Sequence, residues 1–398
     1  MPCQHACCYV LVLLVVLVSL AGCVRPTVQP APEPTPAEAA FERGVAALTS
    51  SAYDQAIADF TQAIALDPQR VEAYHNRGEA YRRKGDYEQA LAEYTQALTV
   101  NPTYAPAYYN RGIVYGNKGD YDRALLDYTQ ALTLNPHFIE AYINRGIAYD
   151  RGKRAYDRAL ADYNHALGLD ANRAEAYLNR GLAYWHMRDY ERAVADYTRA
   201  ISLNPSDAAA YVNRAVAYAD QGDLDRAIAD SSQALALSAN ALEAYVNRGE
   251  AYRRKGDYDQ AIADFSQALT LNPHLALIYY NRAAAYQGQG DLSRAVADYA
   301  QALTLNPRYV EAYIGRGEAY SDQGDYDRAI ADFTRVLSLN PTYALAYYNR
   351  AVAWFFKKNY ARAWADVTRF QQAGGQPDPQ FITDLRKASG RRGTRHRH

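Results

Sequence analysis

Ten arginines recur along the chain at almost constant spacing: Arg43, Arg77, Arg111, Arg145, Arg180, Arg214, Arg248, Arg282, Arg316 and Arg350. An acid follows each of them sixteen residues later, or seventeen in the fourth case: Asp59, Glu93, Asp127, Asp162, Asp196, Asp230, Asp264, Asp298, Asp332 and Asp366. A guanidinium is a planar fork of donors that fits either a carboxylate or a phosphate. A row of arginines alone would suit a phosphorylated ligand. Acids in equal number favour a ladder of internal pairs instead, such as Arg77–Glu93, Arg214–Asp230 and Arg248–Asp264, within or between structural units. The histidines His75, His137, His165, His186 and His274 are scattered, with no pair four residues apart. The stretch "GIAYDRGKR" is one residue too long for a phosphate loop and lacks the Ser or Thr after its Lys. Neither catalysis nor a metal or cofactor is expected of this chain.

Bulk charge narrows the choice further. The 398 residues carry 43 Lys+Arg against 44 Asp+Glu, a formal net charge of −1. Such a balance gives no global field to gather nucleic acid, which is not expected as a partner. Two local basic runs remain, because "NRGEAYRRKGDY" occurs both at Asn76–Tyr87 and at Asn247–Tyr258. The four cysteines, Cys3, Cys7, Cys8 and Cys23, all lie near the N-terminus, so the body holds no disulfide framework.

The elements that position these residues follow from a period of 34. Prolines stand at Pro68, Pro102, Pro136, Pro205, Pro273, Pro307 and Pro341, with one extra residue between Tyr149 and Tyr156. A fixed period of this size implies a stacked array rather than separate domains. Within Val71–Tyr104, Tyr74, Gly78 and Tyr81 share one helical face, and Ala90, Tyr94 and Ala97 share another. Gly85 suits a left-handed helix end, Asp86 a following N-cap with Gln89 at capping-box spacing, and Asn101–Pro102 a second stop. Each unit therefore reads as two helices packed through small residues and tyrosines.

This pattern resembles the tetratricopeptide repeat. The resemblance implies an all-α right-handed solenoid of ten helix-turn-helix units: 37–70, 71–104, 105–138, 139–173, 174–207, 208–241, 242–275, 276–309, 310–343 and 344–377. Residues 378–390 read as a capping helix with Phe381, Ile382 and Leu385 on its apolar face, and 391–398 as a basic tail. The end units depart most from the pattern, and Ser231 stands where a large aromatic normally packs. Units two and seven, three and eight, and five and ten share features, so a five-unit block looks duplicated. The family's groove positions imply a partner-binding stripe of Tyr109, Ile143, Leu178, Val212, Val246 and Tyr280. Beside it runs a row of asparagines: Asn110, Asn144, Asn179, Asn213, Asn247 and Asn281. An amide suits the backbone of an extended peptide; it could equally bond a neighbouring helix. Arg82 and Arg253 fall near the same face, beside Glu79 and Glu250. The lysines of the family's chaperone-tail clamp are not matched, and Glu often stands in their place.

Tyr9–Cys23, "YVLVLLVVLVSLAGC", is too short for a comfortable membrane span and has the length of a signal-peptide core. Its end resembles a bacterial lipobox, which implies a signal at 1–22 and lipidation at Cys23, although no Lys or Arg precedes the run. The proline-rich stretch 23–36 then reads as a tether of about 40 Å in polyproline II form. Val24 rather than Asp after the Cys implies an outer membrane, where one exists. The expected function is a lipid-anchored scaffold of the bacterial cell envelope, serving envelope assembly or secretion, whose partner is a protein or peptide. The alternative is a structural spacer or self-associating array without a dedicated peptide ligand.

Overall fold

The computed structural model describes residues 34–390. The signal at 1–22, Cys23, most of the tether and the tail at 391–398 lie outside the described residues. Within them are twenty-one α-helices and no strand. Twenty helices form ten antiparallel pairs, and from the second unit on the first helix of each pair starts at Val71, Ala105, Ile139, Ala174, Ala208, Leu242, Ala276, Val310 and Ala344. The first unit opens at Pro36, with Thr35 accepting from the Glu38 N–H at 3.2 Å. The helix thus begins inside the segment read as tether. Proline is tolerated at a first helical position because its missing N–H would have no intrahelical partner there.

Unit 2 shows the local logic. Its first helix, Val71–Lys84, stops at Gly85 in the left-handed conformation (φ +89°), and Asp86 N–H returns to the Tyr81 carbonyl at 2.9 Å. Asp86 then caps Tyr87–Val100 by accepting from Gln89 N–H at 3.3 Å. Asn101 ends that helix and accepts from Thr103 N–H at 2.9 Å, which shapes the turn into the next unit.

A size rule joins the two helices of a unit. A Cβ on Gly78 would lie 2.9 Å from the Tyr94 ring, and one on Gly146 2.5 Å from the Tyr163 ring. Seven units pair Gly with a ring in this way. Three carry Ala instead, and the partner changes. Ala351 packs with Val367. Ala215 stands in register with Ser231, which is fully buried with its hydroxyl unsatisfied. Ala283 packs with Tyr299, whose ring leans toward the next unit: a Cβ on Gly315 would be 2.5 Å from its Cζ.

First helices of successive units touch one another along the whole array, whereas second helices chiefly touch first helices. The first helices therefore line the inner, concave side. At the far end the helix Pro379–Ser389 covers unit 10: Leu385 is fully buried beside Ala351, Ala363 and Val367, and Phe381 meets Tyr348 and Phe355 edge-on. No helix among the described residues is long and apolar enough to cross a membrane.

Candidate binding groove

All ten repeated arginines hold the acid of their own unit. Eight do so with the full fork, as in Arg214 Nε to Asp230 Oδ2 at 2.7 Å and Nη2 to Oδ1 at 2.8 Å. Arg248–Asp264 repeats that geometry. In unit 2 the longer Glu93 takes both bonds from Nη2 of Arg77, which leaves the buried Nε without a partner. The third nitrogen, Nη1, usually reaches back to a side chain of the preceding unit, for example Thr198 from Arg214 at 3.0 Å. Arg316 makes no such bond because Ala300 stands at that place. The ladder is thus internal to each unit, with side ties between units. Apart from the half-exposed Arg43 the pairs lie at low exposure, so removing one partner would strand a desolvated charge.

The two basic runs are also occupied. Arg82 grips Glu79 with two bonds of 2.7 Å, Arg83 adds a third, and Tyr94 OH donates to the same carboxylate at 3.2 Å. Lys84 pairs with Asp54 of the preceding unit. Burial pushes the Glu79 carboxyl up, but Arg82 and Arg83 outweigh it and hold it below the usual carboxylate range. In the second copy Arg253 grips Glu250, Arg254 donates to the Ala219 carbonyl at 2.8 Å, and Lys255 pairs with Asp225. Phe265 replaces Tyr94 here, so Glu250 lacks the hydroxyl and is far more exposed than Glu79.

The asparagine row divides the concave face in two. In the first half the amides of Asn110, Asn144 and Asn179 each find a partner. Asn110 Nδ2 meets His75 Nε2 at 2.8 Å, Asn144 donates to Tyr109 OH at 2.8 Å, and Asn179 donates to its own helix at Glu175 O. Burial pushes the Tyr109 hydroxyl up to about 12 and lowers the basicity of His75. Ile143 is only 2 % exposed and belongs to the core around Tyr163, so it is not a groove residue as the spacing implied. Its neighbours there are large enough to close over it.

In the second half the residues that would receive those bonds are Leu178, Val212 and Val246. Aliphatic side chains accept nothing, and Asn213, Asn247 and Asn281 make no hydrogen bond within the described residues. Tyr280 occupies the place of Tyr109, but Gly315 stands where Asn144 would donate, and the Tyr280 hydroxyl is also free. Beside these groups opens an apolar recess of about 440 Å³, bordered by Val212, Val216, Leu242, Val246, Leu277 and Ile278, with Asn213 and Asn247 at its edge. A recess of the first half, between Ile113 and Ile147 but lined also by Asn117, Tyr121 and Arg151, measures about 150 Å³, and its Asn144 is already engaged. Val216, Leu242, Leu277 and Ile278 had no place in the expected stripe. Leu277 was the readable signal, an apolar residue at a position where Glu recurs.

Among the described residues no group of three or more His, Cys, Asp or Glu side chains is arranged to hold a metal. Family models described as "TPR repeat" match residues 50–85, 78–119 and 249–290. Others described as "Tetratricopeptide repeat" match 105–138, 174–207, 276–309 and 310–343, and a further one 196–229. No curated protein matches the chain. A solved tetratricopeptide repeat protein from Parabacteroides merdae is 25 % identical with a TM-score of 0.51, over 63 % of this chain and 98 % of that one. YrrB, described as a TPR protein with an unusual peptide-binding site, is 28 % identical over 48 % of this chain and 97 % of its own, with a TM-score of 0.42.

Proposed function

Because the chain belongs to the tetratricopeptide-repeat family, we propose that it is a scaffold whose second half, units 6 to 9, takes up an extended segment of another protein. The observation that carries this reading is the coincidence of free polar groups with an apolar recess. Asn213 and Asn247 border a recess of about 440 Å³, and Asn281 and Tyr280 stand on the helix that supplies Leu277 and Ile278 to it. An Asn amide can donate to and accept from a peptide backbone at once. A side chain seated in the recess would gain about 1.5–3 kcal/mol by burial. The first half offers a smaller recess of about 150 Å³, and Asn110, Asn144 and Asn179 there already have partners within the chain.

The scaffold is proposed to be held to a membrane through lipid on Cys23, with the proline-rich stretch as spacer. The apolar run ending in "LAGC" supports this part of the reading. Membrane partitioning that survives Cys23→Ser would overturn it.

The groove reading is tested by photo-crosslinking in the native cell. A photoreactive residue at Val216 should yield a protein adduct, and one at the equivalent Ile113 should not. Equal adducts from both sites, or adducts only with further copies of this chain, would remove the reading and favour a self-associating spacer.

A further inference from the structure

Four first helices line the proposed groove: Ala208–Gln221, Leu242–Lys255, Ala276–Gln289 and Val310–Asp322. Every basic side chain on them already has an internal partner. Arg214, Arg248, Arg282 and Arg316 hold the acids of the ladder. Arg253 holds Glu250, Arg254 the Ala219 carbonyl, and Lys255 Asp225.

On the same helices Glu250 and Asp220 are engaged, but Glu243, Glu311 and Glu318 are not matched in this way. Glu243 edges the apolar recess and is exposed without an ion-pair partner. Glu311 also lacks a cation. Glu318 is half-buried, and its one hydrogen bond comes from a neutral donor, Asn349 Nδ2 at 3.0 Å. Burial raises its carboxyl above the usual range, as expected of an acid denied both water and a counter-charge. At the Tyr280 hydroxyl, after burial, the charge of Arg253 acts first and those of Glu311, Glu318 and Glu250 oppose it; Arg253 is held by Glu250, whereas Glu311 and Glu318 have no cation of their own.

The family's usual logic for anionic tails requires free cations here, and this face has none. We infer that the segment taken up by units 6 to 9 is cationic and amphipathic: an extended peptide with an apolar side chain for the Val212–Val246 recess and a Lys or Arg for Glu311 and Glu318. This rests on the proposed groove and adds the charge of its occupant. The peptide's cation would supply the partner Glu318 lacks, and the apolar anchor and backbone bonds would fix its register. Aspartate or glutamate at the same place would face unpaired acids of like charge and be rejected.

The test uses the purified chain and three sets of capped, fluorescently labelled ten-residue peptides. Each set has a central Leu-x-Leu and either Lys, Gln or Glu at the flanking positions. The expected order in fluorescence anisotropy is Lys tightest, Gln weaker by about tenfold, and Glu without saturable binding. Glu311→Gln with Glu318→Gln should shrink the Lys advantage to about twofold while leaving Gln-set binding unchanged. The Lys advantage should also fall as salt is raised. Equal binding of the Lys and Gln sets, or a Lys advantage that survives the double substitution, overturns the charge inference and leaves the groove standing. Failure of all three sets to bind overturns both. Because Glu311 and Glu318 lie outside the Arg ladder, circular dichroism of the double variant should match the parent.

Discussion

At the scale of single residues, the repeated twelve-residue stretch shows how little an identical sequence says about energy. Glu79 is buried and receives bonds from Arg82, Arg83 and Tyr94, whereas Glu250 has Arg253 alone and is about one-third exposed. Two differences are visible: Tyr94 is Phe265 in the second copy, and Arg254 turns to the Ala219 carbonyl where Arg83 holds the carboxylate. Removing a buried acid strands its partners at a cost of about 3–5 kcal/mol, while breaking an exposed pair costs about 1 kcal/mol or less. Glu79→Gln should therefore lower the denaturant midpoint clearly and Glu250→Gln hardly at all. Equal losses would refute this account of the two copies. The pH dependence has a definite sign. Glu79 has a folded-state value below its unfolded one, so its contribution is present above the ordinary carboxylate range and fades as pH falls through the lowered folded value. Glu79→Gln should flatten that acid limb. The ladder residues were legible from spacing alone because sixteen residues span one helix pair. The fate of Arg82 was not, since spacing does not say whether its fork turns to Glu79 on its own helix or out into the groove.

At the scale of the helix pair, packing follows the Gly–ring rule and its three exceptions. Unit 6 combines Ala215 with Ser231, whose buried hydroxyl has no partner. A tyrosine at 231 would meet the Ala215 Cβ, since even Gly leaves the ring at contact distance in seven other units. Ser231→Tyr alone should overpack the unit by about 1–3 kcal/mol. Ser231→Tyr with Ala215→Gly should recover most of that loss in thermal unfolding. Strictly additive effects would show that the two sites do not share this space. Helix boundaries were readable because their signals are local: Gly85 at positive φ, Asp86 as cap, Asn101 before Pro102. The start at Pro36 was misread because proline's first-turn tolerance overrides its habit of breaking helices. Ile143 was misread because repeat position fixes the direction of a side chain but not the size of the neighbours that cover it.

For the whole molecule, the asparagine row is engaged in units 3 to 5 and without hydrogen bonds at Asn213, Asn247 and Asn281, which is the basis of the proposed closed and open halves. The change needs few residues. His75 and Tyr109 accept the asparagine bonds of the first half. Leu178, Val212, Val246 and Gly315 leave those bonds unmade in the second. The solenoid, its period and the existence of a groove were all legible in the sequence, because periodicity is a property of the whole chain. Which half is available was not, because it depends on pairs of residues about 35 positions apart. The most direct measurement compares two double variants in calorimetric titration with the Lys-flanked peptide. Asn213→Ala with Asn247→Ala should weaken binding by about tenfold or more, and Asn110→Ala with Asn144→Ala should leave it unchanged. Equal weakening by both, or weakening by the first-half pair alone, would contradict the division into a closed and an open half.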